Sequence, residues 1–259
     1  MLSSLPEWPQ IYLFPILTAL SLWAGLTALV GLLNRRSPKP GRLALLFSVP
    51  LLILAHHELH ATAADLSLSG AYRAFLAGTL IWAWHEMAFY SGILTGPWQK
   101  PCPPQASGFG RFGYALGTHV YHELAVLAEL LLMLILLSGG PNMLGLLIFV
   151  LSWAMQHSAK LNVLLGIPSL NVALFPSHLR YLGSYWRPGP TSWFFTPSVS
   201  VFTLLALMLW LAAQAHSGDV FGVQLALLAS LVSLGALEHW LLALPQRASQ
   251  AVVPSRISE

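Results

Sequence analysis

Charge is scarce in this sequence. Only 8% of its 259 residues are Asp, Glu, Lys or Arg, while 56% are hydrophobic. A soluble domain carries about a quarter charged residues, so the composition excludes a solvated globular surface and points to an integral membrane protein. Twelve Lys/Arg stand against nine Asp/Glu. The basic residues fall in short loops, a pattern of membrane orientation rather than of nucleic-acid binding. Cysteine is nearly absent too. Cys102 is the single one, which excludes an intramolecular disulfide and a paired-cysteine zinc motif. Met1 to Gln10 lacks the basic region of a cleaved signal peptide, so the first apolar run reads as a retained span. There is no internal repeat, low-complexity tract, nucleophile elbow or phosphate-cradling loop.

What the chain does have is long apolar segments, each near the about 20 residues that a span requires. Seven qualify: residues 11–33, 43–64, 71–94, 112–138, 143–165, 197–215 and 220–244. The expected fold is all-α, one integral membrane domain over residues 1–259, built as a polytopic bundle of about seven transmembrane helices. Short connections predict that sequential helices pack as antiparallel neighbours. Arg35, Arg36, Lys39, Arg42, Lys100, Arg111, Lys160, Arg180, Arg187, Arg247 and Arg256 all fall on one side of that arrangement, with only Arg73 on the other. This places the N-terminus in the periplasm and the C-terminus in the cytoplasm. The longest loop, 166–196, is then cytoplasmic. Its Arg180, Tyr185, Trp186 and Arg187 fit either an interfacial helix with aromatic anchors or a docking surface or lid for a partner.

Ionisable side chains deep in a bilayer are costly, by a few kcal/mol or more, and mark working sites. At a rise of about 1.5 Å per residue, His85 and Glu86 lie about 15 Å from the cytoplasmic edge. On the same count His119, His122 and Glu123 lie about 10–16 Å in, His157 about 12 Å, and Glu238 and His239 about 8–9 Å. Helices running in opposite directions thus bring His and Glu to similar depths, predicting one inner site. His119, His122 and Glu123 share one helical face, whereas adjacent His85 and Glu86 diverge by about 100°, as do Glu238 and His239. Imidazole and carboxylate from several helices suit Fe, Zn or Mn, and di-iron bundles are built this way. A hydrogen-bonded network fixing helix packing, or axial ligation of bacteriochlorophyll or haem by one His, remain open alternatives. A second group, His56, His57, Glu58, His60 and Glu129, lies in the outer half, with Arg73 nearby. It reads either as a second metal site or as an interfacial polar cluster. Lys160, near the inner edge, reads as a snorkelling cation.

Several of these residues also sit in a recognisable pattern. Trp84-His85-Glu86, Thr95-Gly96-Pro97, Cys102-Pro103, Arg111-Phe112 and Tyr121-His122-Glu123, followed by the run Ser158 to Pro168, Asn171, Phe175-Pro176, Tyr185-Trp186-Arg187 and Thr196-Pro197-Ser198, resemble the PuhE family. Those are photosynthetic complex assembly proteins, encoded near the reaction-centre H subunit in phototrophic bacteria. The resemblance spans about residues 72–200 and does not account for the His56–His60 cluster. It implies a multi-pass protein of the bacterial inner, or intracytoplasmic photosynthetic, membrane. The implied role is in forming the reaction centre and core antenna, with their subunits, and pigment, as partners. The competing expectation is a membrane metalloenzyme, a di-iron type oxidoreductase acting on a pigment, quinone or lipid.

Overall fold

Inside a bilayer every backbone amide must be paired within the protein, so long apolar runs fold as helices. The computed structural model describes residues 8–172 and 175–244. Among them are nine α-helices and no strand, only a bridge between Ile167 and Pro188. Helix α1 (Pro9–Asn34) opens with a widened turn over Pro9–Leu13. It is followed by α2 (Pro38–Phe47), α3 (Val49–Ala61), α4 (Leu68–Tyr90), α5 (Gly108–Gly117) and α6 (Val120–Leu136). Then come α7 (Leu144–Leu165), a 3-10 segment (Ser177–Tyr185), α8 (Phe195–Ala215) and α9 (Val220–Leu242). Side chains close several helix starts. Ser37 accepts from the Lys39 amide, Ser67 from Gly70, and Asp219 from Gly222 at 2.9 Å. That bond from the Gly222 amide holds the Asp219 carboxyl below its ordinary value.

By length and apolarity, four to six of the seven expected spans are recognisable among the described residues. α1, α7, α8 and α9 are each long and apolar enough to cross a membrane, and the count reaches six if each of two bent pairs makes one crossing. α2 and α3 meet at 48°, and α5 and α6 at 66°. Residues 43–64 and 112–138, each expected as one span, thus contain a bend. At the first break Pro50, in the opening turn of α3, cannot donate to the preceding turn. α4 has 23 residues and the length of a span but not the apolarity. The reason lies in its surroundings: it is enclosed by α1, α2, α3, α6, α7 and α9. A helix wrapped by other helices has no need of a lipid-compatible surface, and α4 carries Arg73, His85 and Glu86. Arg247 and Arg256, part of the orientation argument, lie outside the described residues.

Two apolar clusters share α4 and α7. One joins them to α1, α8 and α9 around Phe75, Ile148 and Leu227; the other joins them to α3 and α6 around Leu59, Ile81, Val126 and Phe149. α4 and α7 touch backbone to backbone, because a Cβ placed on Gly78 would lie 2.2 Å from the Gly145 carbonyl oxygen. Close approach through small residues is a major source of helix association in lipid, where apolar burial gives no drive. We therefore expect Gly78→Val to destabilise the protein by about 1–3 kcal/mol or more through overpacking. Gly25→Ala, on an α1 face with nothing within 4 Å, is expected to be neutral or slightly stabilising. Thermal unfolding of the detergent-solubilised variants checks the pair.

Candidate metal centre

The site begins at the break between α5 and α6. Thr118 turns its hydroxyl back to the Ala115 carbonyl at 2.7 Å, and His119 leaves helical geometry at φ −142°. The start of α6 is then closed by a different part of the chain. The Thr95 carbonyl accepts from the Tyr121 and His122 amides at 3.0 and 3.2 Å. Thr95 can reach because Gly96 packs directly on the break; a Cβ there would lie 2.1 Å from the Gly117 carbonyl oxygen. The Thr95-Gly96-Pro97 turn therefore fixes where His119, His122 and Glu123 point.

Glu123 is the hub. Its Oε2 accepts from Trp153 Nε1 at 3.0 Å and faces His157 Nε2 at 2.8 Å. Its Oε1 lies 3.5 Å from Lys160 Nζ and 3.7 Å from His119 Nε2. Ligand atoms of His119, Glu123 and His157 all fall within 4.8 Å of one another. The proton positions follow from the partners. His157 Nδ1 faces the Trp153 carbonyl at 3.0 Å, which can only accept. His119 Nδ1 faces Thr118 Oγ1 at 3.1 Å, and that hydroxyl has spent its proton on Ala115. Both rings thus donate through Nδ1; His157 Nε2, 2.8 Å from Glu123 Oε2, donates to it in the imidazolium form and offers a lone pair only when neutral. Three such groups, with each ring held by its other nitrogen, could hold a metal ion. The His157 side chain is 34% exposed, so the site has an open side.

A second set lies deeper. Glu129 accepts from His56 Nε2 at 2.7 Å and from His85 Nε2 at 3.3 Å. Glu86 Oε2 accepts from Gln156 Nε2 at 2.8 Å, and its Oε1 stands 3.6 Å from His122 Nε2. The His85 and His122 rings are 6.3 Å apart, enclosed with Trp82, Phe89 and Phe149.

The structure does not bring Glu238 and His239 into either set. Glu238 accepts from Trp23 Nε1 at 2.9 Å on the α1 side of α9. His239 donates to the Gly235 carbonyl at 2.7 Å and accepts from the Ser158 hydroxyl at 2.9 Å, which satisfies a neutral imidazole. The outer group also divides. Only His56 and Glu129 join the interior; Glu58 pairs with Arg73 at 2.6 Å, exposed His57 lies 3.7 Å from Glu58, and His60 bonds the Leu136 carbonyl at 2.8 Å. Trp153, Gln156 and Lys160 were not chosen from the sequence, although they sit beside His157 on α7 at spacings that share its face or the adjoining one.

The loop residues have mixed fates. Tyr185 is buried: its hydroxyl donates to the Lys100 carbonyl at 3.3 Å and its own carbonyl accepts from Arg111 Nη2 at 2.5 Å. Burial pushes that hydroxyl up to about 12, so it remains a neutral donor. Trp186 Nε1 donates to the Ile167 carbonyl at 3.2 Å, while Arg180 and Arg187 are exposed. His178 adds a bond to the Tyr90 carbonyl at 2.9 Å. The 3-10 segment is thus strapped across the α4–α5 connection.

Because Gly96 sets the register of α6, Gly96→Ala is expected to displace His119 and Glu123 while leaving helix content near wild type. Circular dichroism together with metal titration of the purified variant measures both.

The family described as "Protein of unknown function (DUF3623)" matches residues 10–251. A protein of Rhodobacter capsulatus, described as an uncharacterized 30.4 kDa protein in the puhA 5' region, is 36% identical over 235 residues, covering 88% of this chain and 85% of its own length. No solved structure matches. The chain belongs to the DUF3623 family and is a PuhE-type protein, in agreement with the motifs between Trp84 and Ser198.

Proposed function

We propose that this protein supports assembly of the reaction centre and core antenna of a phototrophic bacterium, from the inner or intracytoplasmic membrane, and that it does so with a transition metal held by His119, Glu123 and His157. The gene setting of the Rhodobacter capsulatus relative supports the first part. The second rests on one observation: two imidazoles whose Nδ1 protons are already committed turn their Nε2 atoms on a single carboxylate. Fe, Zn and Mn all suit such a set. In the topology we favour, α4 and each bent pair count as one crossing, giving seven. The basic residues of the α1–α2, α4–α5 and α7–α8 connections then face the cytoplasm, with the N-terminus in the periplasm.

A second reading is a metal-dependent oxidoreductase acting on a pigment, quinone or lipid. Two His and one carboxylate with open positions form the ligand set of non-haem iron oxygenases, and the exposed edge of His157 supplies the opening. Axial ligation of bacteriochlorophyll or haem draws no support from His122, which is fully buried among aromatic rings and offers no face to a macrocycle.

Deleting the gene in its phototrophic host is expected to lower reaction-centre and core-antenna absorption in membranes. Normal levels of both would remove the assembly role. In purified protein, Glu123→Ala is expected to cost about one metal equivalent per chain, and Glu238→Gln none. Elemental analysis after loading with Fe(II) or Zn(II) reads this, and unchanged metal in the Glu123 variant rejects the site.

A further inference from the structure

α5 is amphipathic with its faces reversed. Phe109, Phe112 and Leu116 fall at spacings of three and four residues and share one side of the helix. That side looks away from the protein, with exposures of 94%, 45% and 40%. The other side looks inward. There Arg111 donates through Nη2 to the Tyr185 carbonyl, and Tyr114 packs against the Trp98 ring with centres 4.8 Å apart. Among the described residues α5 is the α-helix without a buried residue, and no other helix packs along it. A Cβ on Gly110 or Gly113 would meet nothing within 4 Å, so the outer side is open along its length. Two phenyl rings and a leucine aligned on an open face call for an apolar cover.

Two observations identify that cover as the bilayer surface. The first is direction. α6 alone has 17 residues, about 25 Å of helix, against about 30 Å of hydrocarbon. It can therefore cross without α5. A helix inclined by 66° to a crossing helix lies nearer the membrane plane than the normal. The second is charge. The connections 91–118 and 166–196 hold Lys100, Arg111, Arg180 and Arg187 and no Asp or Glu, so neither supplies a carboxylate to pair with them. The two connections are tied into one layer, since Ser184 Oγ accepts from the Cys102 amide at 2.8 Å and Tyr185 from Arg111. Trp193, 78% exposed beside Phe194 ahead of α8, adds an aromatic anchor of the kind found at headgroup level. An outward apolar helix face within a basic, aromatic layer is the composition of an interfacial helix on anionic lipid.

We propose that α5 lies in the plane of the membrane interface, with Phe109, Phe112 and Leu116 among the upper acyl chains of anionic lipids and Lys100, Arg180 and Arg187 facing their headgroups. The α5–α6 pair still makes one crossing, and α6 alone makes it. The break at Thr118-His119 then stands where headgroups give way to hydrocarbon. This placement depends neither on the metal nor on which side of the membrane that end of the bundle faces.

Full-length Cys102→Ser, Phe109→Cys protein, carrying the fluorophore NBD at position 109 in vesicles of phosphatidylcholine and phosphatidylglycerol, tests it. The dye is expected to be shielded from aqueous iodide and quenched by lipid spin-labelled high on its acyl chain. Phosphatidylglycerol bearing that label should quench several-fold more than phosphatidylcholine bearing it. Adding Phe112→Asp should return the dye to iodide. Iodide access without that change overturns the proposal, and so does strongest quenching by a label at the chain end, which would put α5 inside the crossing. Shielding with no quenching by either lipid also overturns it, because protein then covers the face. Equal quenching by the two lipids overturns the anionic surface.

Discussion

The contact on which the site depends is the crossing of α4 and α7 at Gly78 and Gly145. No side chain separates the two backbones there. From that point the helices run in the same direction, since about two turns along α4 and three along α7 Glu86 meets Gln156. The crossing therefore sets the distance between the polar face of α4 and the Trp153–Lys160 face of α7. α6, running the opposite way, inserts Glu129 opposite His85 and His122 opposite Glu86 and Phe89. In a bilayer this packing has little help from apolar burial. A bulky residue at the crossing would separate the ligands before it unfolded the helices.

The balance of charge in the interior follows from these placements. Three carboxylates, Glu86, Glu123 and Glu129, are gathered there, and charge in a membrane must be met at short range. Glu129 has His56, whose two nitrogens both face acceptors, Leu52 and Glu129 itself, so a proton is shared in that pair. Glu123 has Lys160, as well as the Trp153 N–H. Glu86 has only the neutral amide of Gln156 at bonding distance. Its other oxygen stands 3.6 Å from His122 Nε2.

Much of the site's chemistry was legible in the sequence, because depth follows directly from residue number along a helix. His85, Glu86, His119, His122, Glu123 and His157 could be brought to one level by counting. Depth carries no information on direction around the helix axis, however. Glu238 and His239 sit at a suitable level, yet Glu238 faces α1 and His239 lies between α7 and α8, away from α6. Glu129 was assigned to the outer group by its distance from Glu123, although its carboxylate reaches back to His85. The 100° divergence expected of adjacent residues was informative: His85 turns to Glu129 while Glu86 turns to Gln156. The break at Thr118-His119 was not legible, since it depends on a carbonyl from Thr95 more than twenty residues away along the chain. α4 is less apolar than the other long helices, but the reason, its enclosure by six neighbours, lies in the packing and not in the sequence.

Lys160 stands between the proposed metal site and the edge of the bundle. Its ammonium stands 3.5 Å from Glu123 Oε1 and 5.3 Å from the Phe89 ring, on a side chain that is 27% exposed. A divalent cation at His119, Glu123 and His157 would repel that ammonium, and a four-carbon stem would let it swing outward. Metal loading would then change the charge presented at the edge of the bundle, on the same helix that ends at Leu165 and leads into the strapped loop. A centre that trades one cation for another binds metal less tightly than a carboxylate without a competing lysine. In the proposed site, that would favour reversible loading over a permanently held cofactor.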